Sequence, residues 1–94
     1  MCEIIPKFTE FQWIITCSAC PVQFDIYTSL GKRIAYFRFR GNILSVNNYY
    51  GAEIGDEMIY FDDTTYKGSY LSQEELDQIV PIVEQKIKEY YGMD

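Results

Sequence analysis

Three groups of residues in this 94-residue chain have types and spacings that could do chemistry. The first is CSAC, Cys17 to Cys20, which is half of a tetrahedral zinc site or a redox pair. Zinc needs four ligands, and the chain has no histidine and only one further cysteine, Cys2, so the set closes only with carboxylates or across a dimer. A redox pair normally opens a helix that lowers the thiolate pKa. Here Pro21 and a strand-like run follow instead. The pair is read as small apolar residues at a strand end, and no metal and no cofactor are expected.

The second group lies in YFRFRGN, where Arg38 and Arg40 stand two apart among aromatics. On a strand, alternate residues share a face, so both guanidinium groups point one way while Phe37 and Phe39 point the other. Arginine offers a planar fork to phosphate or carboxylate, and a tyrosine ring can stack or anchor a partner. The expected binding set is Arg38, Arg40, Tyr36, Tyr27, Gln23 and Asn47. The plainer alternative is a solvated sheet face whose charges pair across strands, Asp25 with Arg38 for instance. The third group is GAEIGDEMIYFDD, with Glu53, Asp56, Glu57, Asp62 and Asp63. Cation binding or imitation of nucleic-acid phosphates is conceivable, but the spacing matches no calcium loop, and a solvated acidic loop accounts for it. Without histidine, no ordinary pairing of nucleophile and base can be assembled, so no catalytic residues and no enzyme activity are expected.

The whole chain narrows the classes further. Its length allows a single domain, 1–94, whose small core would gain from a partner subunit. Nine tyrosines and six phenylalanines exceed what such a core can hold, so some rings belong at the surface or at an interface, and a homo-oligomer, with a dimer as the commonest form, is expected. Fourteen acids against eight bases give a formal charge of −6, which disfavours direct nucleic-acid binding. No apolar run approaches a membrane span, the start MCEIIPKFTE does not read as a signal peptide, and an odd number of cysteines suits a reducing cytoplasm.

The elements that must position these residues follow from the pattern. FQWIITC reads as a first strand. Gly41-Asn42 between two strand-like runs is a two-residue hairpin signal, which sets Arg40 opposite Ile43, Arg38 opposite Ser45 and Tyr36 opposite Asn47. A two- or four-residue loop within TSLGKR sets Gln23 opposite Arg38, Phe24 opposite Phe37 and Ile26 opposite Ala35. A three-residue loop at SLG would turn the arginines toward the apolar side of the second strand and is rejected. One face thus gathers Val22, Phe24, Ile26, Ala35, Phe37, Phe39, Leu44 and Val46 as core. Residues 51–57 read as a loop, MIYFD as another strand, and Thr65 to Tyr70 as a possible short edge. Ser72 with Glu75 is a capping box opening a helix that ends near Gly92. Its stripe is Leu76, Ile79, Val80, Val83, Ile87 and Tyr90, with Pro81 expected to kink or split it. The fold class is α+β: an antiparallel meander of four to five strands over about residues 11–70, with one C-terminal amphipathic helix over about 72–91 on its apolar face.

Pro21-Val22-Gln23, then Tyr36-Phe37-Arg38-Phe39-Arg40-Gly41, then the helix from Ser72 to Tyr91, resemble a loose group of short uncharacterised proteins of phages and bacteria. The resemblance implies no catalytic residues and no established function. It suggests a phage-type accessory protein, a class that inhibits or sequesters host components. Together these readings give a small non-enzymatic binding protein, acting on a host protein or a small anionic ligand. A metal-stabilised structural module built on CSAC and an acidic mimic of nucleic acid are the alternatives.

Overall fold

The computed structural model describes residues 4–17, 22–50, 53–66 and 71–93. It contains five strands, β1 (Gln12–Cys17), β2 (Val22–Tyr27), β3 (Arg33–Arg40), β4 (Ile43–Tyr50) and β5 (Glu53–Asp62), followed by one helix, α1 (Gln73–Tyr91). The strands form a single antiparallel sheet in sequential order. The α+β meander with a C-terminal helix on one face is thus the architecture of the chain.

The inner face of the sheet follows the expected alternation. Val22, Phe24, Ile26, Ala35, Phe37, Phe39, Leu44 and Val46 are all buried, and they meet Leu76, Ile79, Val80, Val83 and Ile87 of α1. Trp13 adds an aromatic layer, its ring centroid 5.6 Å from Phe24 and 5.3 Å from Phe37. Both hairpins have the pairings anticipated from the pattern, Arg38 lying between Gln23 and Ser45 and Phe37 between Phe24 and Val46. The β3–β4 turn is Gly41-Asn42 with φ of 55° and 58°, the doubly left-handed geometry of a tight hairpin whose twist suits its strands.

The β2–β3 connection corrects the sequence reading. Thr28 and Lys32 face one another, the Thr28 amide donating to the Lys32 carbonyl at 2.8 Å, so the loop is Ser29-Leu30-Gly31 after all. Gly31 takes the left-handed position, with φ 89°. The arginines keep their face because a bulge between Ile26 and Tyr27 intervenes: Tyr27 pairs with Arg33, yet Ile26 pairs with Ala35. The extra residue, Ile34, is buried beside Ala35 and restores the alternation.

Four further expectations are corrected or narrowed. Residues 53–57 are not loop but the first half of β5, which the alternation rule misses because β5 bulges twice against β4, between Val46 and Asn47 and between Asn47 and Tyr49. Pro81 does not split α1, which runs unbroken from Gln73 to Tyr91. Pro81 and Asp77, whose carbonyl loses its amide partner, are both exposed, so water can satisfy that carbonyl. Tyr90 leaves the apolar stripe: it is exposed and donates its hydroxyl to Glu57 Oε1 at 2.5 Å. The short edge expected over 65–70 is not a strand at Thr65 and Tyr66, and its remainder lies outside the described residues.

Both ends of α1 are closed as the pattern implies. Ser72 Oγ accepts from the Glu75 amide at 3.1 Å, and Glu75 Oε1 accepts from the Ser72 amide at 3.0 Å. At the other end Gly92 is left-handed, and the Met93 amide donates to the Lys88 carbonyl at 2.7 Å.

Candidate functional site

The outer face of the sheet carries every residue of the expected binding set, but the structure divides the face into two ends. At one end is a closed network. Asp25, buried despite its charge, accepts the Tyr49 hydroxyl at 2.6 Å and an Arg33 guanidinium contact at 3.4 Å. Arg33 also lies over the Tyr49 ring, 4.2 Å from its centroid, and Tyr49 meets Tyr36 edge-to-face at 6.4 Å. Burial, then the bond to Asp25, pushes the Tyr49 hydroxyl well above the usual phenol range. Tyr27 borders this end, opposite Arg33. Asp25 is therefore not the counter-ion of Arg38, as the plainer reading had it; Arg33 and Tyr49 occupy it.

Arg33 was absent from the expected set. Strict alternation from Ala35 would place it on the core face, and only the Ile34 bulge turns it outward. The sole sequence signal was the Gly31 loop, whose three-residue form carries the compensating bulge with it.

At the other end are Arg38 and Arg40. They line a shallow cavity of about 170 Å³ together with Ile43 and Ser45. Gln23 is directly across from Arg38 on the neighbouring strand. Among the described residues the ion pairs are Arg33–Asp25, Lys86–Glu89 and Lys88–Glu10, and neither Arg38 nor Arg40 belongs to one. Arg38 Nε is shielded from solvent with no hydrogen-bond partner among them, an unusual state for a donor of this strength. Tyr36 lies two residues along β3 on the same face, and Asn47, opposite Tyr36, donates to the Gly55 carbonyl at 3.3 Å and so belongs to the β4–β5 junction. The cavity proper is thus built from Arg38, Arg40, Ile43 and Ser45; Gln23 and Tyr36 share the face without lining it, while Tyr27 and Asn47 serve the other end and the β4–β5 junction.

The acidic segment is laid along the sheet edge rather than gathered into a loop. Glu53, Asp56 and Glu57 are exposed on β5. Asp62 Oδ1 closes the following turn by accepting from the amides of Thr64 and Thr65 at 2.9 and 3.0 Å, and the bonds from Thr65 and Thr64 hold its carboxyl down to about 2. Among the described residues no three of His, Cys, Asp or Glu come together as a ligand set. Of CSAC only the Cys17 backbone, the last residue of β1, is described; Cys20 and Cys2 lie outside. No described helix is long and apolar enough to cross a membrane.

The strongest polar feature off this face is Glu84, which the sequence reading passed over. Its buried carboxylate accepts from the Glu10 amide at 3.0 Å, the Phe11 amide at 3.0 Å and Trp13 Nε1 at 3.0 Å. It fastens the segment ahead of β1 to the helix, aided by the Lys88–Glu10 ion pair. The available signal was helical spacing, since Glu84 stands one turn beyond Val80 on the apolar stripe. A carboxylate there must find donors.

A scan against protein-family models, a search of curated proteins and a search of solved structures each found no match.

Proposed function

We propose that the protein is a small non-enzymatic binding protein that captures an oxyanion group, carboxylate or phosphate, on the outer face of its sheet, with Arg38 and Arg40 as the anchor. The observation that carries this reading is the Arg38 guanidinium: it borders a cavity, its Nε is shielded with no partner among the described residues, and Asp25, the buried carboxylate described on that face, is already held by Arg33 and Tyr49. An incoming oxyanion would accept from the paired forks and from the Ser45 hydroxyl, which is the arrangement that favours arginine over lysine. The size of the cavity argues for one group rather than a whole nucleotide, since small-molecule sites ordinarily span about 300–1,000 Å³. An acidic side chain from a host protein, or a small anion, fits that space. The phage-type assignment rests on the Pro21-Val22-Gln23 and Tyr36 to Gly41 resemblance, a reducing cytoplasm on the cysteine count, and self-association on the excess of exposed aromatic and aliphatic surface, Phe8 and Phe61 among it.

The test is titration of the protein and of its Arg38→Ala, Arg40→Ala double variant with inorganic phosphate and with a glutamate-rich peptide. The expected loss in the variant is a few kcal/mol of binding free energy, the scale of a removed charged hot spot. Its thermal midpoint should move little, because both side chains lie on the solvent side of the sheet. Phosphate binding alone points to a small-anion role, and peptide binding alone to capture of a partner protein. Equal binding by variant and parent would refute the site.

A further inference from the structure

The two edges of the sheet, β1 and β5, are built differently. β5 carries Glu53, Asp56, Glu57 and Asp62, an acidic guard of the kind that keeps an edge strand from pairing with another chain. β1, QWIITC, carries no charged residue. Ile14 is 51% exposed and Ile15 43% exposed on it. Ile14 lies opposite Asp25 and so faces outward, whereas Ile15 lies opposite Phe24 and faces the helix layer. At β1 an exposed isoleucine thus stands on each face of the sheet, whereas the exposed apolar residues of β5, Ile54, Met58 and Phe61, lie on its outer face alone, interspersed with its acids.

We propose that β1 is a homodimer interface, in which the β1 strands of two copies pair antiparallel and join two five-stranded sheets into one. The inference rests on the self-association part of the reading above and is independent of the arginine face. A two-fold axis that brings antiparallel edge strands together stands perpendicular to the sheet, and facing residues then share a face. Ile14 opposite its own copy satisfies this, with Trp13 opposite Ile15 of the second copy and Gln12 opposite Thr16. The pairs Ile14 with Ile14 and Trp13 with Ile15 lie in the regular part of β1, and Thr16 stands within the bulge between Ile15 and Cys17. Two features select a second copy as the occupant. An uncharged strand is its own complement under a two-fold, while pairing β5 with itself would set acids against acids in a chain of net charge −6. Trp13 is also the outermost layer of the core, packed edge-on against Phe24 and tilted against Phe37, and Ile15 of the second copy would continue that layer across the junction.

Sedimentation velocity over a range of micromolar concentrations tests the proposal on the full chain. The expected species has twice the 11.1 kDa chain mass. Ile14→Lys places two ammonium groups across the axis and should weaken the dimer about tenfold or more. Met58→Lys, an exposed outer-face position on β5, should leave it unchanged. Ile14 is half exposed, so its lysine variant should keep a parental circular dichroism spectrum. If that variant does not fold, hydrogen exchange on the parent decides: the amides of residues 12–16 should slow as concentration rises. A monomeric parent would overturn both this proposal and the self-association reading. A dimer that survives Ile14→Lys in a folded protein, or β1 amides indifferent to concentration, would overturn this proposal alone. The Arg38→Ala, Arg40→Ala variant should dimerise normally, which keeps the fate of the anion site separate.

Discussion

Glu84 stands where the helical repeat calls for an apolar side chain, and its buried carboxylate is met by donors from a different part of the chain. Each of those bonds is charge-assisted, and removing the acceptor leaves the Glu10 and Phe11 amides and the Trp13 indole without a partner. Glu84→Ala is expected to destabilise the protein by about 2–4 kcal/mol, measured by urea unfolding. Trp13 is the only tryptophan, so its emission reports the same event locally. A red-shifted folded-state spectrum should accompany the loss. An unshifted spectrum with parental stability would mean that water replaces the carboxylate without cost. Arg38 shows the opposite condition, its Nε having no acceptor among the described residues, and that contrast is why Glu84 is read as holding the fold and Arg38 is proposed for binding.

Among the elements, β5 departs furthest from regular pairing, and Asn48 explains how it is held. Asn48 is buried on the core face opposite Ala35, and its Oδ1 accepts from the Glu57 amide at 3.2 Å, filling the gap opened by the bulge. Gly55 makes room for it: a Cβ added there would come within 2.7 Å of Asn48 Cγ. Gly55→Ala is therefore expected to cost about 1–3 kcal/mol, because Asn48 must move and abandon Glu57. The pair should couple. In the Asn48→Ala background the same glycine substitution should cost markedly less, which a double-mutant cycle of thermal or urea unfolding will measure. Additive losses would show that Gly55 matters through backbone freedom instead.

For the whole molecule, the two most strongly shifted groups, Asp62 and Tyr49, act at opposite ends of the pH scale. The Asp62 carboxyl, held down to about 2 by its threonine bonds, lies below its unfolded value near 4. Its contribution to stability is present above about pH 4 and is lost as pH falls through about 2. The Tyr49 hydroxyl is raised above its unfolded value near 10, first by burial and then by the bond to Asp25. Its contribution is present below about pH 10 and is lost as pH rises toward the folded value. Absorbance titration of tyrosinate should show Tyr49 ionising after the exposed tyrosines, and Tyr49→Phe should flatten the fall in melting temperature above pH 10. Asp62→Asn should likewise flatten the fall between pH 4 and 2. An alkaline limb unchanged in Tyr49→Phe would place that sensitivity elsewhere.

The core face, the strand order, the Gly41-Asn42 turn and both helix caps were legible in the residues themselves, because each depends on neighbours close in sequence. Alternation assigns Phe37 and Phe39 to one side and Arg38 and Arg40 to the other, and a capping box is complete within one turn. What the tertiary structure decided was every feature in which a local irregularity is balanced at a distance. The three-residue loop at Ser29-Leu30-Gly31 is tolerable only because Ile34 bulges two residues after Lys32. The acids of residues 53–57 enter a strand only because Asn48 fills the bulge beside them. Asp25 serves Arg33 and Tyr49 rather than Arg38, and Glu84 is buried only because the chain ahead of β1 brings its amides to α1. Burial energy is collective and bond partners are chosen in space, so a single residue or a short window carries no record of either.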